Sequence, residues 1–88
     1  MRRPHNRAIT NETKHPHIVE VAIAGNELGV QLTRRIVEFH RLQHIEPRLG
    51  RRTYVKRGLY YFRWCFAEFS IACAFIEQFG GEYFKHGI

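Results

Sequence analysis

The sequence predicts a small α+β domain in the order strand, helix, strand, strand, helix, strand, with two helices on one face of an antiparallel sheet. Three observations carry this. Residues 18–23 alternate with a period of two and are rich in β-branched side chains. Two later segments have apolar residues at helical spacing. Between them, residues 59–66 alternate large aromatic side chains with others along a second, longer strand.

In the first strand Val19, Val21 and Ile23 alternate with Ile18, Glu20 and Ala22, and the strand ends at Gly25. Asn26 then offers a helix cap, with Glu27 near the positive end of the helix dipole. Leu28, Leu32, Ile36, Phe39 and Leu42 recur every three or four residues and predict an amphipathic helix to about His44, stopped before Pro47. Arg48 to Arg52 reads as a basic loop around Gly50. A short strand, Thr53 to Lys56, turns at Arg57-Gly58 into the strand Leu59 to Phe66. There Tyr60, Phe62, Trp64 and Phe66 should face the core, and Leu59, Tyr61, Arg63 and Cys65 an open face. Ala72, Phe75, Ile76 and Phe79 predict the second helix, Gly80-Gly81 its stop, and Glu82 to Lys85 a last edge strand. This βαββα(β) order is the split βαβ, or ferredoxin-like, sandwich.

At 88 residues the chain has room for one such domain. Met1 to Pro16 is polar, contains Pro4 and Pro16 and has no apolar period, so residues 1–16 are expected to be a disordered basic arm before a single domain at 17–88. The longest apolar run, Ile71 to Ile76, is far short of the ~18 residues of a membrane span. Cys65 and Cys73 lie in apolar stretches, the pattern of reduced, buried thiols in the cytoplasm.

The formal net charge of +6 is uneven. Arg2, Arg3, Arg7 and Lys14 face only Glu12 in the first 16 residues, and Arg48, Arg51, Arg52, Lys56 and Arg57 cluster with no acid. Two basic segments flanking a nearly neutral body suit a polyanion partner; a solvated tail and a solubilising loop would leave the same pattern.

The stretch Arg57-Gly58-Leu59-Tyr60-Tyr61-Phe62-Arg63-Trp64 resembles the RNP1 segment of RNA-recognition-motif domains, a basic residue and glycine followed by alternating aromatics on the third strand. The resemblance spans about the last third of the chain. It implies a ferredoxin-like fold in which Arg57, Leu59 and Tyr61 face nucleic acid while Phe62 and Trp64 enter the core. The expected function is therefore a small non-enzymatic binding module that contacts single-stranded nucleic acid. Tyr61 would stack a base, Arg57 and Arg63 would add contacts, and Arg48, Arg51 and Arg52 would guide the backbone. Two other uses of the same face stay open. Arg63 can pair with Glu20 across the strands while Tyr61 shields the sheet. Alternatively Leu59, Tyr61, Ile18 and Ala22 can form the centre of a homodimer or partner interface.

No catalytic residue, metal or cofactor is expected. The chain has no aspartate and no glycine-rich phosphate loop with a following Lys-Ser/Thr. His40 and His44, four apart on the first predicted helix, share one face as zinc ligands do, but their phase relative to Leu28, Ile36 and Phe39 predicts two solvent-exposed imidazoles. Cys65, without a paired histidine, is expected to be inert.

Overall fold

The computed structural model describes residues 6–51 and 54–87. Its elements are α1 (Asn6–Lys14), β1 (His17–Ala24), α2 (Glu27–Leu42), β2 (Tyr54–Lys56), β3 (Leu59–Phe66), α3 (Phe69–Phe79) and β4 (Glu82–Lys85). The four strands form one sheet in the order β2-β3-β1-β4, and every neighbouring pair is antiparallel.

The β1–β3 register determines which side chains share a face. It sets Val19 opposite Trp64, Val21 opposite Phe62 and Ile23 opposite Tyr60. These residues turn toward the helix side, as alternation along each strand predicts. Val19, Val21, Ile23, Phe62 and Trp64 pack with Ile36, Phe39, Ala72 and Phe75 into one core, while Tyr60, expected there too, stays exposed at the β2 end beyond the reach of the helices. Phe75 lies at its centre, with ring centroids 4.9 Å from Phe79, 5.1 Å from Phe66 and 5.4 Å from Phe39. None of these three pairs is coplanar; such tilted and edge-on contacts suit the quadrupoles of the rings.

Local chemistry explains the helix ends. The Asn26 side chain accepts hydrogen bonds from the backbone N–H groups of Leu28 and Gly29, satisfying two donors at the start of α2. Gly80 and Gly81 follow α3 with φ of 77° and 108°, a backbone that an L side chain rarely adopts. Arg57 and Gly58, with φ of 55° and 79°, form the two-residue turn between β2 and β3. Positive φ at both central positions matches the right-handed twist of a hairpin.

Two expectations about helices are corrected. Residues 6–14, expected within a disordered arm, form α1. Its inward line is Ala8, Asn11 and Glu12, continued by His15 just past the helix end, a helical period built mostly from polar residues that a search for apolar periodicity passes over. The buried line of α2 is also rotated. Leu28 and Leu42 are 69% and 61% exposed, and Gly29, Ile36, Phe39 and His40 are buried. Gly29 explains the rotation: a Cβ there would lie 1.7 Å from the carbonyl oxygen of Ala24, so α2 meets the end of β1 backbone to backbone.

His40 therefore sits in the core, 1% exposed, rather than in solvent, while His44 lies beyond the helix end with φ 60°. The His40 ring stacks on Phe66 with centroids 5.4 Å apart. Its Nδ1–H donates to the carbonyl of Ile36 at 2.8 Å, and its buried Nε2 has no partner among the described residues. Burial lowers its pKa below the ordinary 6.5, opposed by the bond to Ile36, because a second N–H in this site would carry unpaired charge. Above about pH 6.5 the imidazole is neutral folded or unfolded, and its contribution to stability is complete. As pH falls through 6.5 the unfolded chain takes up the proton first, so stability is lost until the lowered folded pKa is reached. Urea unfolding at about pH 7.5 and pH 5.5 should show this loss in the parent chain and a smaller one in His40→Phe. Equal losses in both would remove His40 as its source.

Candidate functional site

The second face of the sheet carries Ile18, Glu20 and Ala22 from β1, opposite Cys65, Arg63 and Tyr61 of β3. The sequence leaves this face open. The folded chain closes one end of it with α1 and with residues 48–50, which run beside β3. The N–H of Gly50 donates to the carbonyl of Arg63 and that of Cys65 to the carbonyl of Arg48, both at 2.8 Å. From α1, Asn11 Nδ2 donates to the Leu49 carbonyl at 2.9 Å.

Glu12 is the centre of this closure. Its carboxylate, 1% exposed, accepts the Arg51 backbone N–H at 2.6 Å and the Arg51 Nε–H at 3.0 Å, with His86 Nδ1 3.7 Å away. Gly50 permits the approach, since a Cβ would lie 2.6 Å from Glu12 Oε2 and 3.2 Å from Cys65 Sγ. Ile18 and Cys65 are each 2% exposed beneath this layer. Burial first, and the Glu12 charge second, push the Cys65 thiol up to about 12, with Arg63 opposing. A thiol held that high carries almost no thiolate at neutral pH.

The middle of the face is an ion-pair cluster. Glu20 and Arg63 are register partners, and the Arg63 Nε–H donates to Glu20 Oε2 at 3.2 Å. The same guanidinium lies 4.9 Å from the centroid of the Phe84 ring. Tyr54 of β2 donates its hydroxyl to the other Glu20 oxygen at 3.3 Å. Desolvation, then the Glu20 charge, raises the Tyr54 pKa and keeps that hydroxyl protonated. Tyr54 also stacks on Tyr61, with centroids 4.7 Å apart and planes within 5°.

No protein-family profile, curated protein or solved structure matches this chain.

Of the residues singled out by sequence for nucleic-acid contact, the fold gathers Tyr61 and Arg63 on the second face and sets Arg57 in the β2–β3 turn. Arg63 is engaged by Glu20, and Arg51 by Glu12. Arg48 pairs with Glu46 at 3.1 Å, and Arg52 lies outside the described residues. Ile18, assigned to the centre of a dimer interface, is already covered within the chain. Sequence reasoning missed Glu12, Asn11 and Tyr54. Gly50, placed amid arginines, was the available signal for the first two, because it marks a close approach. Tyr54 could have been paired with Tyr61 by counting back across the two-residue turn.

Among the described residues, no three His, Cys, Asp or Glu side chains gather as metal ligands, and no helix is long and apolar enough to cross a membrane. If the Glu12 carboxylate holds the second face closed, Glu12→Gln should keep an acceptor for the Arg51 N–H but lose its charge-assisted bonds. The expected loss is about 1–3 kcal/mol in urea unfolding at neutral pH. Unchanged stability would contradict this role.

Proposed function

We propose that this chain is a small non-enzymatic interaction module, a ferredoxin-like unit with an added N-terminal helix, whose partner is a protein docking at the β2 end of the domain. The strand order β2-β3-β1-β4, with antiparallel neighbours, supports two interleaved split βαβ units. The observation that carries the functional reading is an apolar strip on the helix side of that end. Val55 is 58% and Tyr60 42% exposed, and Val30 and Val37 of α2 are also exposed. The surface differs from the sheet face that the sequence singles out, because α1 covers one end of that face and Glu20 engages Arg63 at its middle. A binding role without catalysis is in keeping with the high Cys65 pKa. Two free cysteines fit a reducing, cytosolic setting.

A second reading, single-stranded nucleic-acid contact, is favoured by the Tyr54–Tyr61 stack beside the cations of the hairpin, Lys56 and Arg57. A base stacked there would gain about 1–3 kcal/mol. An amide-resonance titration with a mixed single-stranded RNA pool at about 50 and 200 mM salt separates the two. The protein-partner reading expects shifts confined to Lys56 and Arg57 that fade at the higher salt. Tyr54 and Tyr61 shifts persisting at that salt would replace it with nucleic-acid binding. Peptides selected from a random library against the folded chain should in turn shift Val30, Val37, Val55 and Tyr60. Selected peptides that shift only Ala22, Leu59 and Tyr61 would move the protein-binding surface to the second face.

A further inference from the structure

β2 is an edge strand with all three of its residues exposed. Its two-residue turn makes Lys56 and Leu59 the hydrogen-bonded pair next to the hairpin loop. Pairs alternate along an antiparallel ladder, so Val55 and Tyr60 form the non-bonded pair, and Val55 directs its own N–H and C=O away from β3. Among the described residues nothing pairs with this edge, and it presents a donor and an acceptor at Val55.

Side chains on the two sides of this edge differ in chemistry. Val55 shares the helix side with its partner Tyr60. There a groove of about 570 Å³ runs between α2 and β3, lined by Val30, Thr33, Tyr60 and Phe62. Val37 continues the same flank two helical turns beyond Val30. On the opposite side Tyr54 and Lys56 project two residues apart, and Arg57 follows in the turn. A strand laid along β2 would thus meet an apolar surface on one side and a cationic one on the other.

Charge selects the occupant. The β2 strand of a second copy, Tyr54–Lys56, carries no carboxylate to meet Lys56 and Arg57, the two copies at +6 each repel, and a lysine on an edge strand works against self-pairing. An extended segment with alternating apolar and acidic residues matches both sides at once. We propose that β2 accepts such a segment of a partner protein as a fifth strand. Its backbone pairs at Val55, its apolar side chains enter the groove between α2 and β3, and its carboxylates meet Lys56 and Arg57. This deepens the interaction-module reading and rests on it.

The test uses the full chain and two fluorescent peptides of equal length, one alternating Val with Glu and the other Val with Lys. The Val/Glu peptide should bind at least about tenfold more tightly by anisotropy, a preference that shrinks as salt rises. It should also slow hydrogen exchange at the Val55 amide at least about tenfold. Val55→Pro removes only the outward N–H and is tolerated on an edge strand, so it should keep the parent amide spectrum and lose the binding. Equal affinity for the two peptides would overturn the proposal, as would unchanged exchange at Val55 or full binding by a folded Val55→Pro. If that variant does not fold, the Val55 exchange measurement on the parent chain decides alone. A concentration-dependent doubling of mass, with Val55 protected in the absence of peptide, would assign the edge to a second copy instead. Library-selected peptides that bind on Val30 and Val37 but leave Val55 exchange unchanged would defeat strand addition while sparing the module reading. Absence of any peptide binding, together with salt-resistant RNA shifts at Tyr61, would defeat both.

Discussion

The buried carboxylate of Glu12 decides which surfaces of this domain are available. It joins α1 to the 48–51 segment by accepting both the backbone N–H and the Nε–H of Arg51, and it lies near His86 just beyond β4. A buried carboxylate is tolerable only with strong partners, and these partners come from a segment 39 residues away in sequence. The consequence is topological. An open-faced sheet with two helices becomes one with helices on both faces, and Ile18 and Cys65 pass from an expected binding surface into the interior.

The other face follows ordinary packing logic with one unusual member. Phe39, Phe66, Phe75 and Phe79 make a dense aromatic core, and His40 joins it as a neutral ring. The α2 stripe that packs on this core is set by Gly29, whose missing side chain brings the helix down onto the end of β1. The same rotation carries Leu28 and Leu42 outward and sets Val30 across a groove from Tyr60, with Val37 exposed further along the same flank of α2. Close helix–strand packing at one end thus creates the exposed strip that the functional reading uses at the other.

Much of the fold was legible because it is written in apolar periodicity. The alternation through Val19, Val21 and Ile23, and through Phe62, Trp64 and Phe66, predicts both the strands and the face they bury. The cap at Asn26, the Arg57-Gly58 turn and the Gly80-Gly81 stop are local chemistry with well-defined structural consequences. What escaped was written in polar residues or depended on distant ones. The inward line of α1 is polar apart from Ala8, and its partner Gly50 lies far along the chain. His40 scores as a surface residue until the helix is rotated to satisfy Gly29. The candidate site was least legible of all. Arg51 and Arg48 read as free cations in sequence, and only the folded chain shows that Glu12 and Glu46 engage them, whereas the Arg63–Glu20 pair follows from cross-strand register alone.

The central structural claim is that the chain itself covers the Ile18–Cys65 end of the second face, and Cys65 reports on that cover directly. Thiol labelling of the native chain at neutral pH, with an aromatic disulfide reagent and each cysteine resolved by mass, would measure it. Cys73, expected from its apolar stretch to be buried, instead lies on the exposed side of α3 and should react promptly. Cys65, buried beneath α1 with its pKa pushed up to about 12, should react at least about a hundredfold more slowly, at a rate limited by opening of the structure. Comparable rates for the two thiols would mean that α1 leaves the face open, and the sheet surface would return as the site of binding.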